Sequence, residues 1–391
     1  MAENRDDIWN DDDEEEPRQQ KGRWKRFLIF TLTLVVVLAV VVLAAWRDGT
    51  GFDVLRRWFS YGSGGEEQTA FAYDSDRSNR FASVGSSLLV ASSTGVELLS
   101  SSGEELYSQT VPLTAPSISE GGSTAVVVDA GGTFLTVFNE KGVVYQLTAE
   151  SGEPFISATM NQSDWLAVTS EKTGYKGCVS VYDPGGELVF AFNSSDRFVT
   201  NGCVSADNKY LAAVTLGQES GVFLSEIVLY PLDSEEPSAT YQISDGLVLQ
   251  IGNMDNELVT VSDTCLTFAD SNGTVKGTYD YAGRYLREYT LGGDGFAALL
   301  LNRYRAGSTG QVVTVDSSGQ ELGKLDVEEV MALSAAGRYL AVLYADSLVL
   351  YTSDMTEYAR LENTGDTRDV LLRKDGSAVL LGSEEASLYL P

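Results

Sequence analysis

Histidine is absent from this chain of 391 residues. The imidazole on which Ser-His-Asp and Cys-His chemistry turns, and which most zinc, copper and non-haem iron sites use, is therefore missing. What remains for chemistry is carboxylate, thiol, guanidinium, ammonium and phenol. Paired carboxylates could act as the acid and base of a carbohydrate-active enzyme, a reaction that needs no imidazole. With 56 Asp and Glu in the chain such pairs arise by chance, and no spacing singles one out. Cys178, Cys203 and Cys265 are odd in number and dispersed among strand-like segments. They read as buried reduced thiols, with a Cys178–Cys203 bridge as the alternative an exported domain allows. Asp74 to Asn79 opens like a calcium loop, with oxygens at its first, third and fifth positions, but Gly85 stands at the twelfth, where a bidentate Glu belongs. Gly292-Gly-Asp-Gly295 lies between strands rather than ahead of a helix, so it does not make a phosphate cradle. No catalytic residue, metal or cofactor is assigned from these residues, and the expectation is a protein that is not an enzyme.

Charge offers a better lead. The 56 acidic against 27 basic side chains give a formal charge of −29 at neutral pH. Such a surface repels phosphate backbones, so no nucleic acid is expected as a partner. Between Lys276 and Arg305 the balance reverses: Lys276, Arg284, Arg287, Arg303 and Arg305 stand against Asp280, Glu288 and Asp294, a net +2, with Tyr279, Tyr281, Tyr285, Tyr289 and Tyr304 among them. Arginine with tyrosine suits carboxylates and flat groups, through paired hydrogen bonds and stacking. The plainer alternative is that these cations neutralise nearby acids and cover apolar rim with their stems.

The elements that position these residues repeat. Beyond Glu66 the sequence is a series of short β runs punctuated by Gly, Ser, Asn and Asp, with no amphipathic helix, which defines an all-β domain. A turn of form [D/S/N]-x-x-G recurs at Ser100–Gly103, Asn139–Gly142, Asp183–Gly186, Asp270–Gly273 and Asp316–Gly319, its glycines 39, 44, 87 and 46 residues apart. The 87 is two periods, with a degenerate turn at Asp233–Glu236 between them. In phase with it run eight near-continuous apolar segments: Leu88–Ala91, Ala125–Val128, Trp165–Val168, Leu211–Val214, Leu258–Val261, Phe296–Leu299, Leu340–Leu343 and Ala378–Leu381. Strands of that kind are covered on both faces, and four-stranded units of about 40–45 residues make a β-propeller. Residues 66–391 divided by eight give about 41 per unit, so eight blades are expected, with seven as the alternative. The last unit, Asp369 to Pro391, has room for three strands. Its outer strand is expected from Gly65–Tyr73, so that the N- and C-terminal strands of the domain close the ring together.

The geometry of a propeller sorts the connections. The tight [D/S/N]-x-x-G turns and the short turns before the buried strands share one face. The opposite face carries the connections from second to third strand and from blade to blade. Its long loops are Thr169–Gly177, Thr215–Ser225 and Leu301–Gln311, and long loops are where binding residues concentrate. Lys172, Tyr175, Lys176, Arg284, Arg303, Tyr304 and Arg305 all fall on that face and are the candidate ligand- or partner-binding residues.

Ahead of the propeller, Phe27 to Trp46 is a run of twenty residues without a charge, about 30 Å as a helix and long enough for a bilayer. It reads as a transmembrane helix rather than a cleaved signal peptide, whose apolar core is shorter. Lys21, Arg23, Lys25 and Arg26 crowd its amino side, which places the amino terminus in the cytoplasm and the propeller outside the cell. Residues 1–26 are then an acidic disordered tail with a basic juxtamembrane cluster, 27–46 the helix, 47–65 a juxtamembrane linker, and 66–391 the extracytoplasmic propeller. The tail carries Trp9 among eight carboxylates between Asp6 and Glu16; it is either a solvated segment or a weak cytoplasmic docking peptide. Because the chain joins the last blade from the linker side, the tight turns are expected to face the membrane and the long loops to point outward.

The repeats resemble those of quinoprotein-type and tryptophan-aspartate-repeat propellers, without the Trp-Asp and Gly-His pairs of the latter. The layout of acidic tail, single helix, Gly-rich hinge and propeller resembles an uncharacterised family of membrane-anchored propeller proteins from clostridia-like Gram-positive bacteria. That resemblance carries no catalytic motif and no cofactor. The functional expectation is a single-pass cell-membrane protein whose propeller is a non-catalytic scaffold, binding an envelope protein or peptide on its outward loops. Alternatives are a carboxylate-based carbohydrate-active enzyme using the central funnel, and a transmembrane sensor.

Overall fold

The ring closes where the sequence places its closure. In the computed structural model, which describes residues 21–48, 53, 57, 68–73, 76, 78–219, 221–243 and 246–391, the strand Gln68–Ala72 runs antiparallel to the last strand, Glu385–Tyr389, pairing Gln68 with Leu388 and Phe71 with Ala386. It completes a sheet whose other strands are Asp369–Leu372 and Ala378–Leu381. Tyr73 fastens the junction, its N–H donating to the Glu384 carbonyl at 3.1 Å and its hydroxyl to the Gly382 carbonyl at 2.7 Å.

Every sheet has four antiparallel strands, and there are eight sheets; the seven-bladed alternative is excluded. Numbered from Arg80, blades 1 to 7 follow the chain in order, and the closing sheet is blade 8. All eight apolar runs seen in the sequence are second strands. Tyr339–Leu343 of blade 7, for example, is buried at every position because blades flank it on both sides. Fourth strands alternate between exposed and half-buried, as Val275–Asp280 of blade 5 does, because one side faces solvent at the rim.

The core is distributed around the ring. Eight apolar clusters lie one at each junction between neighbouring blades, from the cluster of Ala82, Leu98 and Val127 between blades 1 and 2 to that of Tyr73, Leu88, Val90 and Leu381 between blades 8 and 1. No blade buries an apolar face by itself, which is why about forty residues do not make a stable sheet alone.

The turns follow their residues. Asp270 Oδ1 accepts the N–H groups of Asn272 and Thr274 at 2.9 and 3.0 Å, and Gly273 takes φ +74°. Asp183 and Asp316 repeat the arrangement. A short polar acceptor at the first position and a residue free to adopt the left-handed conformation at the fourth are what this turn needs.

First strands line the axis, each packed against the first strand of the next blade. Their inner edges would leave backbone donors unpaired, and side chains of adjacent blades supply acceptors. Glu120 of blade 2 accepts Ser83 N–H of blade 1 at 2.8 Å, Glu288 of blade 6 accepts Leu333 N–H of blade 7 at 2.9 Å, and Ser334 of blade 7 accepts Leu372 N–H of blade 8 at 2.9 Å.

The amino-terminal part is a separate compact unit, Met1–Ser60, apart from Tyr61–Pro391. Its helix, Lys21–Asp48, extends beyond the apolar run at both ends. Side chains are described from Phe27 to Val40, and all of them are exposed. Among the described residues no helix is long and apolar enough to cross a membrane; the run Phe27–Trp46 continues six residues past the last described side chain. Trp9 and most of the segment 47–65 lie outside the described residues.

Candidate functional site on the loop face

The connections from second to third strand and from blade to blade share one face, and that face is uneven around the ring. Three features mark the stretch from blade 3 to blade 6, the second of them at its two ends only. The first is a β-bulge near the start of the first strand, at Phe155/Ser157, Val199/Asn201, Val248/Gln250 and Leu286/Glu288. A bulge re-aims the extra side chain, and in blade 6 that residue is Arg287. The second is longer connections, 171–176 in blade 3 and 303–308 in blade 6. The third is exposed apolar side chains, including Tyr175, Phe198 (56% exposed), Phe223 (69%), Leu247, Tyr285 and Tyr304 (62%).

One segment read as a loop is not a loop. Thr215–Ser225 continues the second and third strands of blade 4 as a paired hairpin, Leu216 opposite Ser225 through Glu219 opposite Val222. Arg197 from the preceding connection holds it. Its guanidinium donates to the Leu224 carbonyl at 2.7 Å and to Thr215 Oγ1 at 3.1 Å, and lies 3.4 Å from Glu219 and 3.5 Å from Glu226. The hairpin carries Val222 and Phe223 out into solvent.

The arginines expected to meet do so in part. Arg284 and Arg305 line one half-open groove of about 1240 Å³ together with Arg287. It runs from the fourth strand of blade 4, past the Asp263 turn and Asp280 of blade 5, to the 303–308 loop of blade 6. Arg284 is fixed entirely by neutral acceptors: Nε donates to the Tyr281 carbonyl at 2.8 Å, one terminal nitrogen to Gln311 Oε1 at 2.6 Å and the other to the Tyr279 hydroxyl at 3.1 Å. Arg303 lies over the Tyr304 ring, 5.7 Å from its centroid, outside the groove lining. Among the described residues no carboxylate lies within ion-pair distance of Arg284, Arg287, Arg303 or Arg305.

The remaining candidates stand apart. Lys172, in the blade 3 loop, is neutralised by Glu153 at 2.7 Å and Glu150 at 3.7 Å. Tyr175 is exposed beside it, and Lys176 Nζ sits 4.7 Å from the centroid of the Phe198 ring. Lys276, counted with the basic cluster in the sequence, is at the tight-turn end of its strand, paired with Asp270 at 2.8 Å. Of the five tyrosines in that stretch, Tyr281 is fully buried and Tyr279 and Tyr289 pack against the core between blades 5 and 6; Tyr285 and Tyr304 are exposed.

The sites weighed in the sequence are resolved where described. The three cysteines are free thiols, Cys178 and Cys203 buried, and burial pushes Cys203 up to about 12. Asp76 is occupied by the hydroxyls and N–H groups of Ser93 and Ser78, which hold its carboxyl well below the usual range; Asp74, Ser75 and Arg77 lie outside the described residues. Among the described residues no group of His, Cys, Asp and Glu could hold a metal ion.

The central channel has its own chemistry. Glu120, Glu288 and Asp369, all on first strands, are pushed up chiefly by desolvation, Glu288 to about 7 with the Asp369 charge adding to the shift. Glu120 is open to channel solvent even though protein surrounds it on nearly all sides. A carboxyl raised in the folded state stabilises most below its unfolded value, near 4.5, and loses that contribution as pH rises through about 7. Replacing Glu288 by Gln should therefore raise the melting temperature at pH 8 by a few degrees. The ceiling is ~3 kcal/mol, at ~1.4 kcal/mol for each tenfold change in proton affinity, and channel water lowers it. The gap should close towards pH 4.5; thermal melts of both proteins across that range check it, and a gap that does not change with pH refutes it.

The fold is an eight-bladed β-propeller whose loop face is uneven around the ring. The chain belongs to the family of unknown function DUF5711, whose family model matches residues 65–381. No curated protein matches it in sequence. Among solved structures it is similar to BamB from Moraxella catarrhalis, at 13% identity and a TM-score of 0.52 over 83% of this chain and 99% of that one. It is similar to the C-terminal WD40 domain of Sif2, at 13% identity and a TM-score of 0.55 over 84% and 100%. The quinohemoprotein alcohol dehydrogenase of Comamonas testosteroni also matches, at 9% identity and a TM-score of 0.54 over 83% and 76%. At these identities the likeness is one of fold.

Proposed function

We propose that this protein is a membrane-anchored, extracytoplasmic propeller that serves as a non-catalytic scaffold, binding a protein or peptide of the cell envelope through its loop face. The observation that carries this reading is the coincidence, in blades 3 to 6, of bulged first strands and exposed apolar side chains, joined where blades 5 and 6 meet by arginines that pair with no carboxylate among the described residues. Apolar area and unpaired guanidinium left on a surface of opposite net charge are what a partner would cover. Anchoring is supported by the charge-free run Phe27–Trp46 and the basic residues on its amino side. It is supported further by Thr31 and Thr33, whose hydroxyls donate to the Phe27 and Ile29 carbonyls at 2.9 and 2.8 Å and so need no water.

A carbohydrate-active enzyme in the channel has one observation in its favour, Glu288 held near 7, chiefly by desolvation with the Asp369 charge adding to the shift. That chemistry also needs an ionised carboxylate as base or nucleophile, and Glu120 and Asp369 are themselves pushed towards the protonated form. The scaffold reading is tested by photo-cross-linking in intact cells from position 304 on the loop face and from position 188 on the rim. A discrete protein adduct is expected at 304 and not at 188, and it should disappear in the Arg303→Glu/Arg305→Glu variant while the melting temperature holds. Equal labelling at both positions refutes the reading. So does turnover of cell-wall glycans by the purified chain that is lost in Glu288→Gln.

A further inference from the structure

We propose that the groove shared by blades 5 and 6 takes an extended acidic segment of the partner, seating a carboxylate among Arg284, Arg287 and Arg305 with apolar side chains on either side of it. This rests on the scaffold reading and narrows it to one groove and one ligand chemistry.

The charge is directed at a ligand because, among the described residues, no carboxylate pairs with it. The carboxylates in the lining are occupied by backbone donors: Asp263 accepts Leu247 N–H at 2.7 Å, and Asp280 accepts Ala282 N–H at 2.6 Å. Neither pairs with an arginine. Arg284 is meanwhile held in one orientation by three neutral acceptors, so its charge is both fixed and unneutralised. A guanidinium ordered in advance loses little entropy when a carboxylate binds it. Arg287 is brought to the same groove by the bulge of its strand, and Arg305 by the longer loop of blade 6. Arg284, Arg287 and Arg305 line the one groove from an inter-blade connection, a first strand and a second-to-third-strand loop, in a protein whose net charge is −29.

The shape and the neighbours indicate a peptide. The groove, at about 1240 Å³, exceeds the usual ~300–1,000 Å³ of a small-molecule pocket and is half-open to solvent. Ile243 and Leu286 lie in its lining, and Leu247 and Tyr285 are exposed on the same face. Aliphatic side chains beside the arginines match a segment that alternates acidic and apolar residues. An acidic polysaccharide would use the arginines and leave the aliphatic side chains uncovered.

The test is selection of random dodecapeptides on the immobilised full-length chain, followed by titration of the enriched peptides, of their Asp→Asn/Glu→Gln counterparts, and of polygalacturonate. The expected result is enrichment of net-negative sequences containing apolar residues. Affinity should fall at least tenfold for the amide counterparts and for the Arg287→Gln/Arg305→Gln variant, with a steep loss in high salt. Neutral or basic winners, no enrichment, or equal affinity for chain and variant overturn the proposal, as does polygalacturonate binding as well as the peptides. If the position-304 adduct persists in cells while the peptides fail, the scaffold reading stands and this groove assignment falls. If the adduct is also missing, both fall.

Discussion

A chain lacking Gln68–Tyr73 is expected to melt about 7 °C or more below the intact protein, or to lose its cooperative transition altogether. The deletion removes one outer strand in thirty-two, yet that strand is what makes the ring continuous. Tyr73 is buried in the cluster between blades 8 and 1, and Phe71 packs against it. Burying an aromatic of this size contributes about 1.5–3 kcal/mol, and the bonds from Tyr73 to Gly382 and Glu384 are lost as well. The total, about 5 kcal/mol, is a large share of the ~5–15 kcal/mol that holds a domain together. It also leaves Glu385–Tyr389 as an open edge, available to another molecule. Thermal denaturation with size-exclusion chromatography checks this, with Leu322→Ser, a substitution at an exposed rim position, as the unaffected control. An unchanged transition in the deleted chain would mean that blade 8 is not what closes the ring.

The closure was legible in the sequence because it is a counting problem. A last unit with three strands, and a domain start that resembles other outer strands, leave one place for the extra strand. The second strands were legible for a local reason: burial on both faces erases the alternation that marks other strands. The [D/S/N]-x-x-G turns carried their own signature, since a short side-chain acceptor such as Asp270 and a left-handed residue such as Gly273 each meet a specific need of the turn.

The site was legible only in part, and the misses share a cause. Whether a tyrosine is presented or packed depends on strand parity and on what the next blade offers. Tyr281, in an inter-blade connection, is wholly buried, whereas Tyr285, four residues on, is exposed. Lys276 and Arg284 are close in sequence, but the strand between them carries the first to the tight-turn face and leaves the second on the loop face. The hairpin of blade 4 has a loop-like composition, Gly217-Gln-Glu-Ser-Gly221. Its strands extend because Arg197, distant in sequence, binds Leu224 and Thr215. The bulges that set blades 3 to 6 apart leave no local pattern, since they exist only in the pairing of first and second strands. Periodicity thus reports what the eight units share, whereas the face proposed to bind is built from their differences.

The glycine pair at Gly292–Gly293 illustrates that contrast and yields a second large effect. These residues let two blades touch. Asp294 N–H donates to the Gly337 carbonyl of blade 7 at 2.6 Å, Gly293 forms a bridge to Gly337, and Thr290 Oγ1 accepts Ala335 N–H at 3.2 Å. A Cβ at Gly292 would overlap the Ala335 carbonyl, which is backbone and has little room to yield. Gly292→Val should therefore force blades 6 and 7 apart along their first strands, where the Glu288–Leu333 bond also lies. Overpacking of this kind costs about 3 kcal/mol, or roughly 4 °C for a domain of this length, with Gly292→Ala between that and wild type. Gly307→Ala is the control: its nearest neighbour is the Tyr304 Cβ, 3.8 Å from the added methyl, so a change of under ~0.5 kcal/mol is expected. Thermal melts of the three variants decide it. If Gly292→Val melts with wild type, blades 6 and 7 are not in backbone contact at this point and the register of their first strands must be redrawn.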